Sequence, residues 1–193
     1  MTKHLRFVLL LASVLYAGLG MAGPEIKGVR LADKVQVGGT ELLLNGAGIR
    51  TKFLFDIYVC ALYLPGKLKN TAEVLAAKGA KRVAMTIVYD EVTAQQFTES
   101  LVKRLAENHS ASELAQLQAR MDKLVAIMAL EKVVKKGTAI TLDYLPDSGT
   151  QLTINGQAKG AVMPGEDFYQ ALLRGWIGEH PVDNALKKAL LNG

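Results

Sequence analysis

The sequence predicts an α+β fold in which helices cover one face of an antiparallel sheet, an open-faced β-sandwich. Three observations lead to this prediction. Strand-like segments come first, two long helical segments follow, and strands return after Gly137 before two final helical segments. Strands and helices therefore do not alternate as they do around a parallel sheet. The strands are separated by short turns, which only antiparallel neighbours can share, and the long helices carry apolar residues on one side.

The N-terminal segment, residues 1–22, has the three-part layout of a secretory signal peptide. Lys3 and Arg6 form a basic start, an apolar run covers residues 7–19, and Ala22 ends a small-residue cleavage motif. The apolar run is too short to span a bilayer comfortably. We therefore expect cleavage after Ala22, a single domain over residues 23–193, and a periplasmic protein without stable membrane insertion.

Composition and motifs argue against several classes of function. Removing the signal leaves 21 basic and 18 acidic residues, a net charge of +3 that is too mild for a nucleic-acid partner. Cys60 is the only cysteine and lies in an apolar run, which favours a buried core residue over a nucleophile. His109 and His180 have no further ligands at metal spacing, and no G-x-S-x-G motif is present. We expect no metal and no cofactor, and the sequence leaves the oligomeric state open.

The first half of the chain contains the strands that precede the long helices. "KVQVGGTELLLNG" predicts a hairpin around Gly38-Gly39, and the glycines at 46–48 predict a turn. Residues 52–64 predict one long, buried strand that ends before Pro65-Gly66. "TAEVLAAKGA" predicts a short helix with Thr71 as its N-cap, and "KRVAMTIVYD" predicts another strand.

Two helices follow, each opened by a capping box. The boxes pair Thr93 with Gln96 and Ser110 with Glu113. Apolar residues spaced by three or four positions give each helix a stripe that suits a core or the wall of a ligand layer. "TAITLDYLP", "TQLTING" and "QAKGAVMP" then predict an antiparallel meander, and the last two helices are separated at "GEHP".

Arg50 is the most informative residue of the chain. Its guanidinium group stays charged, so burying it requires an anionic or strongly accepting partner. An internal partner is available if residues 50–64 form one unbroken strand, because Asp56 would then share a face with Arg50. Tyr58 has the same parity and would offer a hydroxyl group. An Arg50–Asp56 pair, an exposed arginine at a strand start, and a site for a bound carboxylate or enolate all remain open.

Two distant motifs give the chain a family resemblance. "LNGAGIRTKFLFDIYVCALYL" resembles the early strand region of the chalcone isomerase family, where a G-x-G-x-R turn precedes a strand with a V-Y-A-x-G-L-Y-like signature. "GWIGEHPVDNALKKALL" resembles the "IGEH" helix junction near the end of that family. The resemblance covers most of residues 28–193, and the signal peptide points to the exported bacterial branch.

The resemblance implies a cleft between the sheet and the helices, headed by an arginine. In the plant enzymes of the family this arginine stabilises a developing oxyanion, whereas the fatty-acid-binding members use it with a tyrosine to hold a carboxylate. Arg50 matches the arginine, and Tyr58 falls where the lipid binders carry tyrosine and the enzymes threonine. Phe97 and Arg104 fall near the enzymes' catalytic tyrosine and asparagine, and Gly175-Trp176 replaces a Thr-Met pair. Chalcone isomerase activity is therefore not expected.

Three hypotheses of function follow. The first is a non-catalytic binder of a fatty acid or similar amphipathic anion. The second is an isomerase or lyase that acts on an enone or unsaturated acid, with Arg50 and Tyr58 at the enolate and a base among Tyr89, Asp90 and Glu91. The third is an envelope scaffold with a filled interior. The expected ligand-binding residues are Arg50, Tyr58, Phe97, Leu101, Arg104, Leu124 and Trp176.

Overall fold

An antiparallel sheet of seven strands forms the centre of the protein. The structure is a computed structural model that describes residues 22–192, so residues 1–21 of the predicted signal peptide lie outside the described residues. The predicted α+β fold, with helices on one face of an antiparallel sheet, is confirmed. In spatial order the strands are β11 (Gln157–Met163), β10 (Gly149–Ile154), β9 (Ala139–Leu145), β6 (Lys81–Ile87), β5 (Phe55–Leu64), β4 (Thr40–Lys52) and β3 (Lys34–Val37).

Two two-stranded pairs and five helices complete the described part of the chain. One hairpin joins β1 (Ala22–Ile26) to β2 (Val29–Ala32), and the other two-stranded pair joins β7 (Glu91–Thr93) to β8 (Val133–Lys135). The second pair brackets the two long helices, which lie in the chain between β6 and β9. The helices are α1 (Thr71–Ala76), α2 (Ala94–Asn108), α3 (Ala111–Ala129), α4 (Glu166–Ile177) and α5 (Asn184–Leu191).

Strand β5 is buried on both faces, and its alternating side chains separate two cores. Tyr58, Cys60 and Leu62 belong to the core beneath the helices. Val59 and Tyr63 point the other way, into a smaller core that includes Leu31 of the β1–β2 hairpin. The period of two along a strand explains this division, and it places Cys60 and Leu62 on the same side as Tyr58.

The predicted capping boxes and meander are confirmed. The side chains of Thr93 and Ser110 accept from the backbone amides of Gln96 and Glu113, and the return bonds from the partner side chains are also formed. These bonds fix where α2 and α3 begin, because they satisfy backbone donors that have no partner inside the helix. Strands β9, β10 and β11 pair antiparallel in sequence order.

Three local predictions were wrong. The glycines at 46–48 do not form a turn but lie inside β4, where α5 packs so closely that a Cβ on Gly46 would collide with the carbonyl oxygen of Ala189. The strand predicted over residues 52–64 is interrupted by a two-residue loop, Phe53–Leu54, which makes β4 and β5 a hairpin. The N-cap of α1 is Asn70, whose side chain accepts from the Glu73 amide, and not Thr71.

Candidate ligand-binding site

A cleft of about 270 Å³ opens between the sheet and the helices at the loop end of the β4–β5 hairpin. Its walls come from β4, β5, the segment around β7, residues 96–104 of α2, the C-terminal end of α4 and the segment that follows it. One side of the cleft is thus held by sheet register and the other by the packing of α2 against α4. The lining residues are Arg50, Lys52, Phe53, Phe55, Ile57, Tyr58, Tyr89, Glu91, Val92, Gln96, Phe97, Ser100, Leu101, Arg104, Gly175, Trp176 and Val182.

Arg50 and Tyr58 lie side by side because they are partners in the register of β4 and β5. The guanidinium carbon of Arg50 is 5.6 Å from the centroid of the Tyr58 ring, a distance at which the ring attracts a cation. The Nη2 atom of Arg50 donates to Oγ of Ser100 at 3.2 Å, and its Nε atom is buried without an acceptor. A buried donor of a charged group that lacks an acceptor is costly, and a bound anion would supply one.

The hydroxyl group of Tyr58 retains a proton that it can donate. Nε1 of Trp176 donates to the Tyr58 oxygen at 3.0 Å, and because indole is only a donor, Tyr58 is the acceptor in this bond. Tyr58 is 3% exposed, and burial raises its pKa above the ordinary value of 10.0. The hydroxyl group therefore stays protonated at neutral pH, and it offers a second donor beside Arg50.

Arg50 has no internal counter-ion among the described residues, so the Arg50–Asp56 pair, one of the three alternatives left open by the sequence, is not formed. Oδ2 of Asp56 lies 2.9 Å from Nζ of Lys27, and its Oδ1 accepts from the Thr51 hydroxyl. The hairpin loop places Asp56 opposite Thr51 in the register, which removes the shared face that an unbroken strand would have given. Arg50 is also not an exposed residue at a strand start, because it is partly buried near the end of β4.

Six of the seven residues predicted at the site line the cleft, and Leu124 does not. Phe97 lies against Tyr58 with ring centroids 6.4 Å apart, and Leu101 and Trp176 extend the apolar wall. Leu124 is buried in α3, which packs against α2 and against β11 at the other end of the sheet. Leu124 belongs to the buried core and is 1% exposed, and the neighbouring Ile127 closely approaches Gly160 of β11.

Arg104 differs from Arg50 although both line the cleft. Its Nη1 atom lies 2.6 Å from Oε2 of Glu107, one turn along the same helix. This short-range ion pair already provides a counter-charge, so Arg104 contributes a boundary of the cleft more than an unsatisfied donor. Arg50, and not Arg104, is therefore the arginine of the cleft that lacks an anionic partner among the described residues.

Ser100 is the main polar residue of the site that the sequence-based prediction missed. It lies on α2 between Phe97 and Arg104, three residues after the first and four before the second. Residues at these spacings share one face of a helix. Helical periodicity applied from Phe97 could therefore have identified Ser100. Phe53 of the hairpin loop also lines the cleft, but it could not have been identified because no turn residue in the sequence marks this loop.

The arrangement has the parts for holding an anion and few of the parts for catalysis. Tyr89 and Glu91 line the cleft at its exposed side, whereas Asp90 does not. The Cys60 thiol is buried, and burial raises its pKa, so it is not an activated nucleophile. Within residues 22–192 no group of three His, Cys, Asp or Glu side chains could hold a metal ion. No helix in the same part of the chain is long and apolar enough to cross a membrane.

Comparison with known proteins places the chain in a family. The family model described as chalcone isomerase-like matches residues 23–192, and the chain belongs to this family. No curated protein matches the sequence. Among solved structures, the crystal structure of a fatty-acid binding protein from Arabidopsis thaliana is similar, with a TM-score of 0.67 and 18% sequence identity. The match covers 86% of this chain and 92% of that one, so it supports the shared fold.

Proposed function

We propose that this protein is a non-catalytic binder of a fatty acid or a similar amphipathic anion. The observation that carries the proposal is the partly buried Arg50 guanidinium, whose Nε atom is buried without an acceptor. It has no counter-ion among the described residues and opens with the Tyr58 hydroxyl onto a largely apolar cleft. A carboxylate is flat, carries two acceptor oxygens and suits both donors at once. The fatty-acid-binding neighbour of the same fold supports this interpretation.

The size of the cleft gives the proposal a sharper form. A volume of about 270 Å³ is just below the 300–1,000 Å³ range of drug-sized ligand pockets. We therefore expect the carboxylate and the first part of an acyl chain to lie inside, with the remainder of a long chain leaving between Phe53, Phe55 and Tyr89. Affinity should rise with chain length up to a medium-chain acid and rise less steeply beyond it.

Titration with fatty acids of increasing length tests the proposal. A hydrogen bond to a charged group contributes about 1.5–3 kcal/mol, so Arg50→Ala should weaken palmitate binding by about tenfold or more. Arg30→Ala is the matched control, because Arg30 is an exposed arginine of β2 outside the cleft. Native mass spectrometry of the protein purified from a bacterial host should also detect a co-purified acid. No such acid, together with unchanged affinity in Arg50→Ala, would refute the proposal.

The place of action belongs to the same proposal. The basic start, apolar run and small-residue motif of residues 1–22 support export to the periplasm. N-terminal sequencing of protein recovered from a periplasmic extract should begin at Gly23. Recovery of the intact N-terminus from the cytoplasm would contradict export and leave the ligand proposal untouched.

An enzymatic role in the same cleft is the second candidate, because Glu91 and Tyr89 line the cavity that Arg50 heads. Arg50 would stabilise an enolate, and Glu91 would remove or return a proton. Turnover of enones or unsaturated acids that is lost in Glu91→Gln would favour this candidate. The envelope scaffold has no such support. It requires a filled interior and an Arg50–Asp56 pair, whereas in the described residues a cleft opens beside Arg50 and Asp56 pairs with Lys27.

A further inference from the structure

The end of the β4–β5 hairpin, which we call the apolar tip, consists of the loop residues Phe53 and Leu54 and the first residue of β5, Phe55. Their exposed fractions are 87%, 93% and 54%. Tyr89 lies against the tip, with its ring centroid 5.5 Å from that of Phe55. Phe53, Phe55 and Tyr89 also line the cleft, so the exposed apolar surface is continuous with the entrance to the ligand site.

The fold does not require apolar residues at this loop. Three other hairpins in residues 22–192 have two-residue loops, formed by Lys27-Gly28, Gly38-Gly39 and Asn155-Gly156. Each places glycine at the second position, as tight hairpins normally do. The fourth loop, Phe53-Leu54, has no glycine, and Phe53 holds a φ of 56° that is unfavourable for a bulky side chain. An aromatic side chain thus occupies a position at which hairpin formation favours another residue.

The apolar tip is too small for a stable interface with another protein. A stable protein–protein interface buries about 800 Å² on each partner, whereas one aromatic side chain buries about 150–250 Å². The three tip residues protrude at the end of a hairpin and do not form a flat patch. A lipid surface needs no matching shape, and apolar side chains at the acyl boundary with lysines at the headgroups are typical of interfacial binding.

The charges around the apolar tip favour the same partner. The rim has one more basic than acidic residue, and Lys52, directly before the tip, forms no ion pair in the described part of the chain. Lys135 faces Glu91 across the β7–β8 pair, and the Lys136 amide donates to the carbonyl oxygen of Asp90. The charged rim residues are Lys27, Lys52, Lys135 and Lys136 on the basic side and Asp56, Asp90 and Glu91 on the acidic side.

We propose that the apolar tip inserts into the interfacial layer of a phospholipid membrane, with the entrance of the cleft facing the bilayer. This inference depends on the proposed function for its purpose, because it lets an acyl ligand move between bilayer and cleft without crossing water. Lys52 then lies at headgroup level while Phe53 and Leu54 contact the acyl boundary. The contact is peripheral, and it needs no membrane-spanning segment.

Leu54→Asp tests the proposal because Leu54 belongs to the tip but does not line the cleft. Wild-type protein should float with vesicles of phosphatidylethanolamine and phosphatidylglycerol, and Leu54→Asp should reduce the bound fraction by about tenfold or more. Transfer of a fluorescent fatty acid from these vesicles to the protein should slow by a similar factor. Leu130→Asp is the matched control, because Leu130 is 81% exposed at the end of α3 and lies outside the cleft lining.

Palmitate titration without vesicles separates the two proposals. Unchanged palmitate affinity in Leu54→Asp, together with lost flotation, supports membrane docking. Wild-type protein that binds palmitate but does not float overturns docking and leaves the proposed function intact. Wild-type protein that floats but does not bind palmitate overturns the proposed function and leaves docking intact. Docking is also overturned if Leu54→Asp and Leu130→Asp reduce flotation equally, or if Leu54→Asp abolishes a dimer detected by sedimentation, which would assign the tip to a second copy of the chain.

Discussion

Two cations lie over tyrosine rings in this protein, the partly buried Arg50 and the fully buried Lys81, and only Arg50 lines the cleft. Arg50 is 5.6 Å from the Tyr58 ring centroid, and Lys81 is 5.1 Å from that of Tyr144. Lys81 has Oε1 of Glu166 at 3.5 Å, whereas no carboxylate of the described residues pairs with Arg50. A cation on a tyrosine ring is therefore not by itself a ligand site. The difference lies in the missing counter-ion and in the cavity beside it.

The first prediction compares the loss of the Lys81 counter-ion with the loss of the unpaired Arg50 guanidinium, and it has the largest expected effect. Glu166→Gln should lower the free energy of unfolding by about 2–3 kcal/mol, because it leaves the fully buried Lys81 ammonium without its partner. The value lies below that of a fully buried pair because Glu166 is 24% exposed. Arg50→Met should change the same quantity by less than about 1 kcal/mol, or raise it, because Arg50 loses no internal ion pair.

Urea denaturation at neutral pH compares these two variants directly. Asp122→Asn serves as a control for removing a carboxylate, because Asp122 is an exposed residue of α3 whose partner is the neutral amide of Gln118. A loss in Arg50→Met as large as that in Glu166→Gln would show that the guanidinium has an internal partner. The contrast between the paired Lys81, which we call the filled end, and the unpaired Arg50 beside the cleft, which we call the open end, would then be wrong.

The second prediction compares the two tyrosine hydroxyl groups. Tyr58→Phe removes the acceptor of the buried Trp176 indole and should cost about 1–3 kcal/mol of folding stability. It should also weaken palmitate binding, since a donor to the carboxylate is lost. Tyr144→Phe should cost less than about 0.5 kcal/mol, because no hydrogen bond of its hydroxyl group is formed within residues 22–192.

Thermal or urea unfolding checks the stability difference, and calorimetric titration checks the affinity. The Trp176 fluorescence maximum provides a further readout, because the indole loses its bond only in Tyr58→Phe. Equal stability losses in the two variants would mean that the Trp176–Tyr58 bond contributes nothing beyond packing.

The third prediction concerns the pH dependence of the stability that the Glu166–Lys81 ion pair contributes. Burial acts against ionisation of Glu166, but the hydrogen bond from Lys78 and the charge of Lys81 together hold its pKa below the ordinary 4.5. The unfolded chain therefore binds more protons than the folded one between the folded pKa and 4.5. The stabilisation is fully present above about pH 4.5 and is lost as pH falls through the folded value.

Unfolding curves of wild type and Glu166→Gln at a series of pH values measure this effect. The stability difference between the two proteins should be constant above pH 4.5 and should shrink below it. A difference that stays constant down to pH 3 would show that Glu166 titrates normally in the folded protein.

The fold was largely predictable because turn and cap residues agree with the apolar pattern. Glycine pairs, the two capping boxes and the alternation of β5 locate most elements. Phe53-Leu54 has none of the residues that signal a hairpin loop, so the sequence concealed the boundary between β4 and β5. The parity argument for Arg50 and Asp56 failed for this reason.

The candidate site was predictable where local geometry decides it. Arg50 and Tyr58 still meet, because strand register replaces the same-strand parity that was expected. Phe97, Leu101 and Arg104 share one face of α2, and the same spacing includes Ser100. Leu124 could not be placed, because the direction in which the stripe of α3 faces depends on its packing against β11, which local periodicity does not encode.

The smallest effect is expected from adding one methyl group at the open end. A Cβ on Gly175 would lie 3.6 Å from Cβ of Arg104 and 3.9 Å from Cδ1 of Leu101, which are ordinary contact distances. Gly175→Ala should therefore raise stability by about 0.5–1 kcal/mol, because alanine favours the helix more than glycine does. The contrasting variant is Gly48→Ala, whose Cβ would lie 2.7 Å from Cβ of Ala189 in α5. It should destabilise the protein in the same urea assay, because β4 and α5 pack too closely to admit a methyl group, whereas α2 and α4 leave room for one beside the cleft. A destabilised Gly175→Ala would mean that α2 and α4 are packed as tightly as that face.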